Sequence, residues 1–158
     1  MYEERMSISC KTTHSSSEQL LFTIKEEPYR DERLQEIDKG FEQHALETTG
    51  AMQEFHRCIL AAYNGKTFLG SLALHLLWGS IQIRYFFIKP QYRRKGLGKA
   101  LMTAALQYGK DHNCHIAFVD TMSYQALPFY KKLGFTLEFS RGGFHHGFEQ
   151  HFLKKDLL

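Results

Sequence analysis

The stretch Tyr85-Phe86-Phe87-Ile88-Lys89-Pro90-Gln91-Tyr92-Arg93-Arg94-Lys95-Gly96-Leu97-Gly98 decides the architecture. It runs from a continuous apolar segment through a proline into a basic loop. The spacing Leu97, Leu101, Ala104, Tyr108 then marks one face of an amphipathic helix. Residues 81–88 begin by alternating at Ile81, Ile83 and Tyr85 and end apolar at every position, which predicts a central strand covered by helices on both faces. Amides at a helix start have no intrahelical acceptor and carry the positive end of the dipole. Gly96 and Gly98 lack a Cβ and so allow tight dihedrals and close ligand approach. With Arg93, Arg94 and Lys95 beside those amides, a diphosphate suits the loop better than a carboxylate. The loop is neither a P-loop nor a dinucleotide fingerprint, because no Gly-Lys-Ser/Thr and no third glycine follow Gly98. Taken alone, three basic residues would read as a solvated charge run; the buried strand before them and the helix after them favour an anion site.

Working outward, residues 20–24 read as a first strand. Pro28 opens a helical segment with apolar residues at Leu34, Ile37, Phe41 and Ala45, which Gly40 is expected to divide in two and Thr48-Thr49-Gly50 to end. Strands at 58–63 and 67–77 are joined at Asn64-Gly65, a strong hairpin signal, and Trp78-Gly79-Ser80 turns the chain into 81–88. Beyond the first long helix comes a strand at 115–120. A helix carrying Ala126, Phe129, Tyr130 and Leu133 follows, stopped by Gly134. Strands at 135–139 and 148–153 complete the pattern. The order predicts one α/β domain over 20–158 with a mixed sheet and flanking helices, preceded by a polar, Ser-rich, flexible leader at 1–19.

The 158 residues suffice for one domain with its own core. Hydrophobic residues at 43% and charged residues at 23% argue against a disordered chain. A net charge of +3 is too small to imply nucleic-acid binding, and no basic face interleaved with aromatics supports it. Cys10, Cys58 and Cys114 are odd in number with no C-x-x-C spacing, so reduced thiols and a cytoplasmic location are expected. No apolar run approaches a membrane span, and no secretory signal opens the sequence.

The segment around Arg93-x-x-Gly96-x-Gly98 resembles the pyrophosphate-binding motif of the GNAT superfamily of acyl-CoA-dependent N-acyltransferases, Gln/Arg-x-x-Gly-x-Gly/Ala. Phe87-Ile88-Lys89-Pro90 stands where that family carries the preceding strand and proline. A second likeness follows at the expected distance: Ser123-x-x-Ala126-x-x-Phe129-Tyr130-x-x-Leu133-Gly134-Phe135 is similar to the family's last helix and strand. The resemblance covers roughly 20–155, nearly the whole chain. It implies a mixed, mostly antiparallel sheet of about six to seven strands whose fourth and fifth, here 81–88 and 115–120, splay apart around the acyl-CoA.

From the resemblance, the pantetheine arm is expected along Phe86, Phe87 and Ile88, and the pyrophosphate on Arg93, Arg94, Lys95, Gly96, Leu97, Gly98 and Lys99. Ser123, Ala126 and Phe129 also fall among the implied cofactor-binding residues. Acetyl-CoA is the implied co-substrate, no metal is needed, and an amine attacks the thioester directly. A backbone N–H of the splayed strand would hold the oxyanion. Tyr130 is the implied donor to the leaving thiolate; periodicity alone favours a core tyrosine, and the motif likeness reverses that preference. Many relatives carry a carboxylate in the fourth strand, where this chain has Gln82-Ile83-Arg84-Tyr85, so the general base stays open among Asp120, Glu54, His75, His145 and a water chain. Arg84 would face the acceptor if alternation holds, although a paired structural arginine is the commoner role.

The segment Gly142-Gly143-Phe144-His145-His146-Gly147-Phe148-Glu149-Gln150-His151 invites a metal reading, since a strand would put 145, 149 and 151 on one face. Adjacent histidines cannot both point inward, and a Gly/His loop bordering the acceptor pocket is the better reading. Together with Met122-Ser123-Tyr124-Gln125-Ala126 it resembles small bacterial-type members of the superfamily. The function expected is acetyl transfer to a primary amine of a small molecule or protein, by a monomer or homodimer. The competing class is an acyl-CoA-binding module without catalysis.

Overall fold

A computed structural model describes residues 8–11, 21–24, 30–51 and 56–157. They fall into two compact units, Met1–Phe41 and Glu42–Leu158. In the first, β1 (Ile8–Lys11) and β2 (Leu21–Ile24) pair antiparallel as a two-stranded sheet. The predicted first strand therefore forms, but it pairs with a segment of the expected leader and not with the large sheet. Pro28, Leu20 and Glu54 lie outside the described residues.

Helix α1 is continuous over Asp31–Thr49. The expected division at Gly40 does not occur. A glycine in a helix interior costs only about 1 kcal/mol against alanine, which the turns on either side absorb. The helix ends where expected, with Gly50 N–H donating to Leu46 O at 2.9 Å and Gly50 at φ 70°. It buries none of its residues; Ile37 and Phe41 are 47% and 56% exposed.

The second unit is built on six strands in the order β3-β4-β5-β6-β8-β7. These are β3 (His56–Asn64), β4 (Thr67–Leu77), β5 (Ser80–Ile88), β6 (Ile116–Met122), β7 (Thr136–Arg141) and β8 (Gln150–Asp156). All neighbours are antiparallel except β5 and β6. The β4–β5 hairpin closes through Trp78 and Gly79, both at positive φ, as the right-handed twist of the strands demands. Helices α2 (Leu97–Asp111) and α3 (Leu127–Lys132) pack their inner residues into one core with the sheet. Leu72, Leu74, Ile81, Met102 and Leu153 are its fully buried large side chains.

The buried stripe of α2 is Leu101, Met102, Ala105 and Gly109, not the expected Leu97, Leu101, Ala104 and Tyr108. A Cβ on Gly109 would stand 3.0 Å from Ile81 Cγ2, so the helix lies closest to the sheet where it has no side chain. Ala104 consequently turns outward. Tyr108 sits at the margin, its hydroxyl hydrogen-bonded to His56 Nε2 at 2.5 Å. No helix among the described residues is long and apolar enough to cross a membrane.

Candidate active site

The site begins with a register shift. Leu74 pairs with Ile83 and Ala73 with Tyr85, which leaves Arg84 as the extra residue of a β-bulge. The bulge reverses the parity of β5. Ile81 and Ile83 face the helices before it; Phe86 and Ile88 face them after it. Tyr85 and Phe87 are 75% and 50% exposed on the opposite face. The apolar run is thus not covered on both faces, and the alternation assumed for Arg84 does not hold. The β5–β6 ladder ends at Ile83↔Val119, although β5 continues to Ile88 and β6 to Met122.

At its far end β5 is fixed from the β4 side. Gly70 on β4 lies opposite Ile88, and a Cβ there would stand 2.6 Å from Phe87 O and 2.9 Å from Ile88 Cα. Lys89 N–H donates to Leu69 O at 2.9 Å. Pro90 then opens a single 3-10 turn, Pro90–Tyr92, after which Arg93 Nε donates back to Ile88 O at 3.0 Å. Arg93 therefore anchors the loop to the strand, while the exposed Arg94, Lys95 and Lys99 leave their charge in solvent beside the start of α2.

Arg94 and Gly96 take positive φ, 58° and 83°. Gly96 is the residue before the helix and supplies no side-chain cap, so the amides of Leu97, Gly98 and Lys99 stay open to an anion. Gly98, by contrast, is an ordinary helical residue. A Cβ on it would stand 3.2 Å from Ile88 Cδ1 and 3.5 Å from the Phe129 ring, so its bareness serves packing as much as ligand approach. Here β5, the first turn of α2 and α3 converge.

From that point an aromatic chain runs inward. Ring centroids are 5.9 Å apart for Phe86–Phe129, 5.3 Å for Phe129–Tyr130 and 5.9 Å for Tyr130–Phe135. Tyr130 is only 5% exposed. Burial, with a smaller contribution from the charge of Asp120, pushes its phenol up to about 12 from the usual value near 10. The unfolded chain therefore loses this proton before the folded one does. Tyr130 stabilises the fold fully below pH 10, and that contribution disappears between about pH 10 and 12, roughly 2–3 kcal/mol in all. Between pH 9 and pH 11 about half of this is lost, so urea denaturation at those two values is expected to show a loss of about 1.3 kcal/mol beyond that of Tyr130→Phe; equal losses in both proteins would contradict it.

The turn from β6 into α3 is held by residues the sequence reading passed over. Thr121 Oγ1 donates to Gln125 Oε1 at 3.2 Å and accepts from Ala126 N–H at 3.3 Å; Gln125 Oε1 also accepts from Met122 N–H at 2.9 Å. Nothing in a Thr–Gln pair four apart announces this. Ser123 is engaged structurally: its N–H donates to Glu149 O at 2.8 Å and its hydroxyl accepts from Glu149 N–H at 3.2 Å.

The 142–151 segment is not the strand the metal reading required. His145–Gly147 is a 3-10 turn with His146 at φ 61°, and β8 starts only at Gln150. His151 is buried and its Nδ1 is hydrogen-bonded to Ser140 Oγ at 2.7 Å. Among the described residues no group of three or more His, Cys, Asp or Glu side chains could hold a metal. Of the bases left open, Asp120 is exposed at the end of β6 and accepts from Gln150 Nε2 at 2.7 Å, and His75 is half-buried on β4.

The mixed six-stranded sheet thus carries an uncapped helix start beside its central strand. The acetyltransferase (GNAT) family model matches residues 17–135, about three quarters of the sequence, and the chain belongs to that family. Its members use acyl-CoA as co-substrate, and membership supports acyl transfer as the reaction class. The curated proteins that show similarity include two acetyltransferases. A glucosamine 6-phosphate N-acetyltransferase of Trypanosoma brucei brucei is 42% identical over 48 residues, 30% of this chain and 32% of that protein. An acetyltransferase of Agrobacterium fabrum is 30% identical over 67 residues, 42% of this chain and 49% of that protein. The chain thus spans half or less of the length of either. The crystal structure of an Agrobacterium tumefaciens protein assigned as an acetyltransferase superposes with a TM-score of 0.72 at 22% identity, over 84% of this chain and 97% of that one.

Proposed function

We propose that the chain transfers an acetyl group from acetyl-CoA to a primary amine of a small molecule or protein, by direct attack on the thioester. The observation that carries this reading is the convergence at Gly98 of the end of β5, the uncapped start of α2 and the Phe129–Tyr130 pair. The amides of Leu97 to Lys99, with Arg94 and Lys95, would hold the pyrophosphate. The backbone from Phe86 to Ile88, beyond the last β6 partner, would hold the pantetheine arm. A β5 amide in the same stretch would donate to the oxyanion, where one such donor is typically worth about 10²–10³ in rate.

Attack forms the C–N bond and expels the thiolate, and the proton that nitrogen loses balances the one that sulfur gains. With its phenol near 12, Tyr130 stays protonated throughout the working range. Full transfer to a thiolate near 8.5 would be uphill by about 5 kcal/mol. Tyr130 therefore acts by donating a hydrogen bond as charge develops on sulfur. The site works in the cytoplasm, consistent with the free thiols of Cys58 and Cys114.

Calorimetry with CoA tests the reading. Binding heat is expected, weakening as salt rises, and the exposed pair Arg94→Ala/Lys95→Ala should weaken affinity about tenfold. No heat of association would overturn the enzyme assignment. Binding without thiol release from acetyl-CoA in the presence of amines would leave a binding module instead.

A further inference from the structure

Beyond the end of β6 lies an open hollow of about 400 Å³ lined by Met122, Tyr124, Phe144, His145, His146 and Phe148. Its walls are aromatic. Tyr124 and Phe148 meet edge to face at 4.8 Å and 61°, and His146 stands 5.8 Å from the Phe148 ring. The two hydrogen bonds between Ser123 and Glu149, one backbone to backbone and one from the Glu149 N–H to the Ser123 hydroxyl, tie the loop that supplies four of the six residues to the end of β6. The hollow is therefore fixed to the end of β6, the strand that carries Asp120. None of the lining residues is a lysine, arginine or carboxylate.

Asp120 and Met122 lie on the same face of β6, about 7 Å apart by strand geometry. Gln150 Nε2 donates to Asp120 Oδ2 at 2.7 Å and sets that carboxylate in place. The same carboxylate is near enough to Tyr130 for its charge to act on the phenol. An aromatic hollow thus lies the length of a short alkyl chain from an anchored anion whose charge reaches the proposed leaving-group donor.

We infer that the acceptor is a primary amine carrying an aromatic ring, the ring lying in the hollow and the ammonium beside Asp120 before it gives up its proton. The inference rests on the acetyl-transfer reading and narrows it. A ring against Tyr124 and Phe148 covers apolar surface that is otherwise exposed, Tyr124 by 62%. A phosphorylated sugar would find no fixed cation in the hollow, only two imidazoles.

The test first establishes acetyl-CoA binding by calorimetry, then follows thiol release from acetyl-CoA with 2-phenylethylamine, n-butylamine and glucosamine 6-phosphate. The aromatic amine is expected to exceed n-butylamine by at least about tenfold in kcat/KM, the order expected for covering a phenyl ring. Tyr124→Ala, a change at an exposed side chain, should bring that ratio close to one. Asp120→Asn should lower kcat/KM for both alkyl amines together and leave the ratio in place. Equal rates, preference for the sugar phosphate, or no turnover of the aromatic amine by protein that binds acetyl-CoA would each overturn the acceptor assignment and leave CoA binding standing. Absence of acetyl-CoA binding would overturn both.

Discussion

Replacing Tyr130 by phenylalanine is expected to lower kcat by about 10- to 100-fold while KM for acetyl-CoA moves by less than about twofold. The size follows from the interaction that the substitution removes. A hydrogen bond to a charged group contributes about 1.5–3 kcal/mol, and here the charge exists only once the C–S bond is breaking. The ground-state complex is little affected, so the effect falls on kcat. Phenylalanine keeps the ring that packs against Phe129 and Phe135, so the variant stays folded. Because burial holds the phenol near 12, the kcat profile of the unmodified protein should rise as the amine deprotonates and show no descending limb from Tyr130 below about pH 11. Thiol release measured from pH 6 to 11 checks both points. Unchanged turnover in Tyr130→Phe would remove the residue from the mechanism and leave it a core tyrosine.

The anion loop was legible because its signals are local. Pro90 breaks the strand, Gly96 permits the positive φ of 83° that precedes α2, and the three basic residues stand together in the sequence. The hairpin turns were equally plain, and β4 occupies the expected 67–77. What escaped depends on partners distant in the chain. The bulge at Arg84 exists only relative to β4; a strand that changes parity places apolar residues at both parities and so reads as buried on both faces. Thr121 and Gln125 look like any polar pair until the β6–α3 turn closes around them. The stripe of α2 moved by one residue because Gly109, which a hydrophobic pattern ignores, is its closest approach to the sheet. The 145–151 segment failed as a strand because alternation was assumed across a turn whose His146 takes φ 61°.

Gly70→Ala is expected to cost about 2–4 kcal/mol of stability and at least tenfold in acetyl-CoA affinity, although Gly70 belongs to no motif. Its pro-Cβ position meets Phe87 O at 2.6 Å and Ile88 Cα at 2.9 Å. Both are backbone atoms, so no side chain can swing aside and β4 must part from β5. The displacement falls on the residues that form the proposed pantetheine track. It carries with it the Ile88 carbonyl that Arg93 grips and the Ile88 side chain that seats Gly98. Gly96→Ala provides the contrast. Its Cβ would enter open space, so only the left-handed conformation is penalised, by about 1–2 kcal/mol. Urea midpoints for the two variants and their CoA isotherms separate crowding from backbone preference. If Gly70→Ala unfolded at the midpoint of the unmodified protein and bound CoA as tightly, the β4–β5 approach could not be what holds the strand end in place.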